Sequence, residues 1–265
     1  MKIQYLPRDM EKAIVKASEY YSVICVTGPR QSGKSTLLKH LFPGYVEYSM
    51  KDMHVREFAL NDPVAFLSQT TEGMFLDEIQ KAPVLMEYIQ GIIDHDPNRK
   101  FLLTGSSNFE VMKGVSESLA GRAGELLPMT LGETLVVHEG IDLSKLMYEG
   151  LYPAVAAGKN TARLFYPSYV KTYIEKDVHD LLKIQDQMQF MRFMKLCAAR
   201  IGSIFVATEL ASEVGVDSKT VSLALRVASI LPCNPAATLL RKHFQTLGKK
   251  SKTLFQRHWF GLLST

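Results

Sequence analysis

The chain has 265 residues, 46% of them hydrophobic and 22% charged, the balance of a globular protein with a sizeable core and not of a disordered or fibrous one. No apolar run approaches the roughly 18–20 residues of a membrane span, and the first residues, MKIQYLPRDMEKAI, carry charges where a secretion signal needs an apolar stretch; no membrane partner is expected. Three widely separated cysteines, Cys25, Cys197 and Cys233, argue against a disulfide framework or a zinc site and suit a reducing cytoplasm.

The formal net charge of +4 is unevenly spread. No acidic residue follows Asp217, and seven of the 31 lysines and arginines lie from Leu223 onward, which leaves 24 basic against 27 acidic side chains before it. A composition shift of this kind marks a boundary.

In chain order, residues 9–20 read as an opening helix. YSVICV (21–26) reads as a buried strand and runs through TGPRQSGKST into an apolar helix, LLKHLF. YVEYSM (45–50) is a second strand, and DPVAFLSQT (62–70) a short helix with Asp62 as N-cap and Pro63 at its first position. GMFLDE (73–78), KFLLTGSS (100–107) and GELLPMT (124–130) are the third, fourth and fifth strands. Strands alternating with helices predict an α/β fold, a parallel sheet with helices on both faces. Residues from about 159 to 222 read as helical throughout. Within them ELASEVGVDSKTVS (209–222) has the spacing of a helix-turn-helix, with a small core of Leu210, Ala211, Val214, Val216 and Val221. Ser218, Lys219 and Thr220 would open its second helix. The expected division is a nucleotide-binding domain over 1–155, a helical and winged-helix-like segment over 156–222, and a basic tail over 223–265.

Two stretches carry the chemistry. Residues 28–36, Gly28, Pro29, Arg30, Gln31, Ser32, Gly33, Lys34, Ser35 and Thr36, fit the pattern G-x-x-x-x-G-K-[ST] between a strand and a helix. Backbone N–H groups of such a loop approach phosphate oxygens closely, and the helix start adds its positive dipole end. Lys34 would neutralise the β- and γ-phosphates of ATP, and Ser35 would ligate Mg²⁺. Arg30 is a weaker candidate for the γ-phosphate or a neighbouring subunit. MFLDEIQ (74–80) ends a strand in Asp77 and Glu78; Asp77 is placed at the metal and Glu78 at the attacking water, a pairing of hydrolytic NTPases more than of kinases. Arg122, flanked by small residues in SLAGRAGELLP (118–128), is a candidate arginine finger, in cis or from a neighbour in a homo-oligomer. A GTPase is disfavoured because no N-K-x-D guanine-reading stretch is present.

Together GPRQSGKSTLL, FLDEIQKAP, LLTGSSNF, SLAGRAGELLPMTLGE, GLYPAV, YVKTYIEKDVHDL and ELASEVGVDSKTVS resemble a prokaryotic family of AAA+-type ATPases. The resemblance spans about residues 20–222. It implies a P-loop NTPase of the AAA+/ASCE-like kind, ATP and Mg²⁺ as ligands, a helical and winged-helix segment, and a C-terminal domain of unknown function; the helix-turn-helix spacing leaves open whether that segment contacts DNA or only packs against protein. It also implies a polar sensor at the end of the fourth strand, for which Ser106 or Ser107, then Asn108, is the choice. Leu151 departs from the family's glycine in G-G-Y-P, a change expected to alter a turn. The function expected is ATP hydrolysis that moves the helical part; the alternatives are a nucleotide-switched DNA-binding regulator with negligible turnover, or a product without function.

The last alternative arises from the tail. After TVS the family continues through W-L-S and P-K-L-Y-F, whereas this chain reads LALRVASILPC. Back-translated and shifted one base forward, Leu223 written CTG becomes tryptophan, and codons exist that restore the family pattern onward. Residues 223–265 are therefore expected to be read out of frame, a truncating change. The competing reading is a basic tail that binds nucleic acid electrostatically.

Overall fold

The computed structural model describes residues 5–105, 122–126, 128–137, 140, 142–173, 187–199, 206–218 and 220–221. They fall into two compact units, residues 1–128 and 129–265. The tail after Val221, with the frame change placed there, lies outside the described residues.

The first unit is built on five strands: β1 (Val23–Thr27), β2 (Val46–Ser49), β3 (Gly73–Asp77), β4 (Lys100–Gly105) and β5 (Arg122–Glu125). They pair in the order β2-β3-β4-β1-β5, every pair parallel. Every residue of β1 and β3 is buried, which is why both read as continuous apolar runs and not as alternations. Successive side chains still go to opposite faces. Val23, Cys25, Met74, Leu76, Phe101 and Leu103 share one core with Ala59 of α3 (Met53–Asn61), Phe66 of α4 (Pro63–Leu67) and Leu85 and Ile89 of α5 (Leu85–His95). Ile24, Val26, Phe75 and Leu102 share the other with Ile14 of α1 (Glu11–Tyr20) and Leu37 and Leu38 of α2 (Lys34–Leu41). The sheet thus carries helices on both faces, as the α/β reading expects.

Local signals explain the short elements. Asp62 caps α4 as expected, its side chain accepting from the Ala65 N–H at 3.0 Å, and Asp52 caps α3 in the same way through His54 and Val55. The fifth strand lies earlier than GELLPMT predicts. It begins at Arg122 and pairs Ile24↔Arg122 through Thr27↔Glu125. The chain leaves the ladder after the Leu126 N–H bonds the Thr27 carbonyl, two residues short of Pro128, which has no N–H to give.

The second unit is helical among its described residues: α6 (Leu131–Val137), α7 (Leu143–Glu149), α8 (Pro153–Ala156), α9 (Ala162–Tyr173), α10 (Gln187–Ala199) and α11 (Ala207–Val214). Tyr152 is fully buried among Phe165, Tyr166 and Tyr169, its ring 4.9–6.0 Å from theirs. Gly150, not residue 151, meets the special backbone demand here. Its φ is +70°, and an added Cβ would lie 1.9 Å from the Tyr166 hydroxyl, which itself donates to the Glu149 carbonyl. Leu151 keeps a negative φ and buries its side chain, so the left-handed position in this turn falls on Gly150. After α11, Gly215 turns at φ +84°, and the Asp217 carboxylate accepts from the Thr220 N–H and hydroxyl at 2.9 and 2.6 Å. Leu210, Ala211, Val214 and Val221 are buried together and Val216 packs against them, the small core that the helix-turn-helix spacing predicts.

Tyr152→Ala should lower stability by about 3–5 kcal/mol, read as a shift of the urea midpoint followed by circular dichroism. A change below about 1 kcal/mol would contradict the central place given to this ring.

Candidate functional site

At the C-terminal edge of the sheet, β1 ends and the loop 28–33 begins. Gly28 is required there for packing as much as for ligand approach: its φ is +143°, and an added Cβ would stand 2.2 Å from the Leu126 carbonyl oxygen. Gly33, at φ 99°, forms the N-cap of α2. Among the described residues the only non-glycine residues with positive φ are Gln31 in this loop and Glu78 in the acid pair. Backbone held in sparsely populated regions concentrates at functional sites, and here both cases fall within one site.

Lys34 is buried and turns its ammonium back onto its own loop, donating to the Gly28 and Pro29 carbonyls at 2.8 Å each. Burial pulls its pKa down to about 8; Glu78 and Asp77 oppose that fall, while Lys51 and Arg30 add to it. Ser35, one residue on, donates its hydroxyl to Asp77 Oδ1 at 2.5 Å. Thr104, at the end of β4, donates to the same oxygen at 2.7 Å. Burial raises the Asp77 pKa, but these two hydrogen bonds, with Lys51 and Lys34 behind them, outweigh it and hold the carboxyl below its ordinary value.

Glu78 follows in a left-handed conformation and is as buried as Asp77. Its N–H bonds Thr104 Oγ1 at 3.2 Å. Its carboxylate is held from two sides, by Lys51 Nζ at 3.0 Å on Oε1 and by Gln80 Nε2 at 2.6 Å on Oε2. Lys51 also lies 3.6 Å from Asp77 Oδ2. Arg8, ahead of α1, reaches the loop and donates to the Ser32 carbonyl at 2.9 Å.

The structure therefore brings together Lys34, Ser35, Asp77 and Glu78. Ser106, with Ser107 and Asn108, lies outside the described residues. Arg122 opens β5 with its backbone level with Ile24, three residues before the Thr27 end of the pairing; its side chain lies outside the description, and Arg30 borders the buried lysine. Sequence reasoning missed Thr104, Lys51, Gln80 and Arg8. Thr104 and Gln80 stood inside the quoted stretches, and their neighbours drew the attention. Lys51 and Arg8 lack a local signal, because only the parallel sheet and the chain's return bring them to the site.

An anionic ligand fits these residues. The Ser32 hydroxyl is fully buried in the loop with no hydrogen-bond partner, a state that buried polar groups rarely keep without a ligand or water. The lysine ammonium is satisfied only by carbonyls that a phosphate could replace. A hydroxyl and a carboxylate side by side are hard oxygen donors of the kind Mg²⁺ takes, its remaining ligands coming from phosphate and water.

Residues 20–135 match the AAA domain family, and residues 140–231 a domain of unknown function (DUF8612). An uncharacterized protein of Mycobacterium tuberculosis, Rv2008c, is 27% identical over 249 residues, covering 92% of this chain and 55% of that one; the chain spans about half the length of the curated relatives it matches. Among solved structures, a Walker-type ATPase of Pyrococcus abyssi is 13% identical at a TM-score of 0.48, over 83% of this chain and 96% of that one. A RuvB variant of Thermotoga maritima is 15% identical at a TM-score of 0.41, over 81% and 84%.

Thr104→Val keeps the shape and removes both the donor to Asp77 and the acceptor for Glu78 N–H. It should cost about 1–3 kcal/mol, measured by thermal unfolding; an unchanged melting temperature would show that the bridge contributes nothing.

Proposed function

We propose, for a chain whose residues 20–135 match the AAA domain family, that the loop 28–36 binds ATP and that Glu78 directs its hydrolysis to ADP and phosphate. The observation that carries the reading is the 2.5 Å link between Ser35 and Asp77, which joins the phosphate loop to the acid pair. On binding, Lys34 exchanges the Gly28 and Pro29 carbonyls for phosphate oxygens, and the loop N–H groups take the rest. Ser35 and Asp77 would hold Mg²⁺, which when bound withdraws charge from the phosphate oxygens. Glu78, fixed by Gln80 and Thr104, orients the attacking water and accepts its proton. Ser106 and Arg122 are proposed to meet the γ-phosphate, Arg122 within the chain or across a homo-oligomer.

The hydrolytic cycle is proposed to act on the helical and winged-helix-like part. The turn at Gly215 with Asp217 bonded to Thr220 also supports a second reading, a DNA-binding regulator that holds ATP as a switch. Phosphate release with and without double-stranded DNA separates the two: turnover supports the first, and nucleotide-dependent DNA binding without turnover the second. No described helix is long and apolar enough to cross a membrane.

For residues 223–265 we propose reading in the wrong frame, supported by the loss of all acidic residues after Asp217. The match to the unknown domain, which runs to residue 231, and that to Rv2008c both extend past Ser222 and count against a change of frame at that residue. Sequencing the coding DNA tests the proposal. A one-base-forward reading should continue through W-L-S and P-K-L-Y-F, and an early stop codon would refute it.

Lys34→Ala should weaken ATP binding by about 30-fold or more, since a charged hydrogen bond is lost, in a fluorescent-nucleotide titration; wild-type affinity would remove the phosphate-loop assignment. Glu78→Gln should retain binding and lose at least about 100-fold in phosphate release. Equal loss of both would make Glu78 structural or a metal contact.

A further inference from the structure

Two adjacent carboxylates that are almost fully buried, Asp77 and Glu78, repel one another unless a cation stands beside them. Lys51 is that cation in the ligand-free protein: its Nζ lies 3.0 Å from Glu78 Oε1 and 3.6 Å from Asp77 Oδ2. The backbone puts it there. β2 pairs with β3 in the register Ser49↔Asp77, and the Met50 N–H bonds the Asp77 carbonyl at 2.9 Å. The chain then leaves the edge of the sheet beside the acid pair, so Lys51 has only to fold inward.

Its surroundings differ from those of Lys34. The Lys34 side chain is buried and fixed to loop carbonyls, whereas half of the Lys51 side chain faces solvent. A lysine on a flexible four-carbon stem, with water on one side, can withdraw at little cost. Its charge occupies the side of Asp77 opposite the Ser35 bond, Oδ2 facing Lys51 and Oδ1 facing Ser35 and Thr104.

We propose that Lys51 is a placeholder cation, a positioning residue that holds Glu78 in place and competes with a divalent metal for Asp77 until metal and nucleotide arrive together. This rests on reading the site as a nucleotide site. While no metal is present, the ammonium bridges the two carboxylates and holds them in place. A divalent cation beside Asp77 repels the ammonium, which then remains on Glu78 alone or swings into solvent. The protein therefore discriminates against free metal and favours metal delivered on a polyphosphate, whose negative charge compensates the displaced lysine.

The test is Mn²⁺ binding to the nucleotide-free protein, followed by electron paramagnetic resonance, in wild type, Lys51→Met, Lys51→Arg and the double variant Lys51→Met/Asp77→Asn, with melting curves of each. Lys51→Met should bind Mn²⁺ roughly three- to tenfold more tightly than wild type, the scale of one half-exposed charge contact. Lys51→Arg should stay close to wild type, and the double variant should lose the gain. Equal or weaker binding by a folded Lys51→Met protein, or a gain that survives loss of Asp77, would overturn the proposal. A parallel titration of wild type with a fluorescent ATP analogue separates the two claims. Nucleotide binding without the Mn²⁺ gain sinks the placeholder role alone, and the gain without nucleotide binding sinks the nucleotide reading.

Discussion

A carboxylate removed from water must be met by hydrogen bonds and charge from its own protein, and at Asp77 that requirement organises the site. One side chain collects Ser35 from α2, Thr104 from β4, and Ser49 and Lys51 from the end of β2 and just beyond it. Parallel pairing puts all these ends on one edge of the sheet. β4 lies between the strand that leads into the phosphate loop and the strand that carries the acids. Thr104 is therefore the residue that spans the gap, and its hydroxyl serves Asp77 and the Glu78 backbone at once. Binding energy for a ligand is available here because the partners are exchangeable: Lys34 rests on carbonyls, and Lys51 rests half in water.

The sequence announced those parts of the fold whose signals are local. Continuous apolar runs marked β1 and β3, Asp62-Pro63 marked a helix start, and G-x-x-x-x-G-K-S marked the loop. That Lys34, Ser35, Asp77 and Glu78 lie together was legible because the loop pattern and the acid pair at a strand end are local signals. The fifth strand was displaced because its pairing depends on where β1 runs out of partners, which no local pattern encodes. Lys51 and Arg8 were missed for the same reason, since only tertiary contacts bring them to the site, whereas Thr104 and Gln80 stood inside the quoted stretches beside residues with stronger signals. Gly28 shows a subtler limit. Its place was predicted from phosphate approach, yet the Leu126 carbonyl forbids a side chain there before any ligand is considered.

The second unit follows a different logic. Its order comes from aromatic packing around Tyr152 and from a turn that only Gly150 tolerates, so the unusual Leu151 is accommodated as a buried apolar residue. The helix-turn-helix core was legible because its spacing is short and its turn needs the left-handed glycine found at Gly215.

The central claim is that loop 28–36 and the acid pair form one nucleotide site. Isothermal titration of the full chain with a slowly hydrolysed ATP analogue, with and without Mg²⁺, tests it most directly. The account predicts saturable binding at one site per chain that tightens when Mg²⁺ is present. Absence of saturable binding, or affinity indifferent to Mg²⁺, would contradict it.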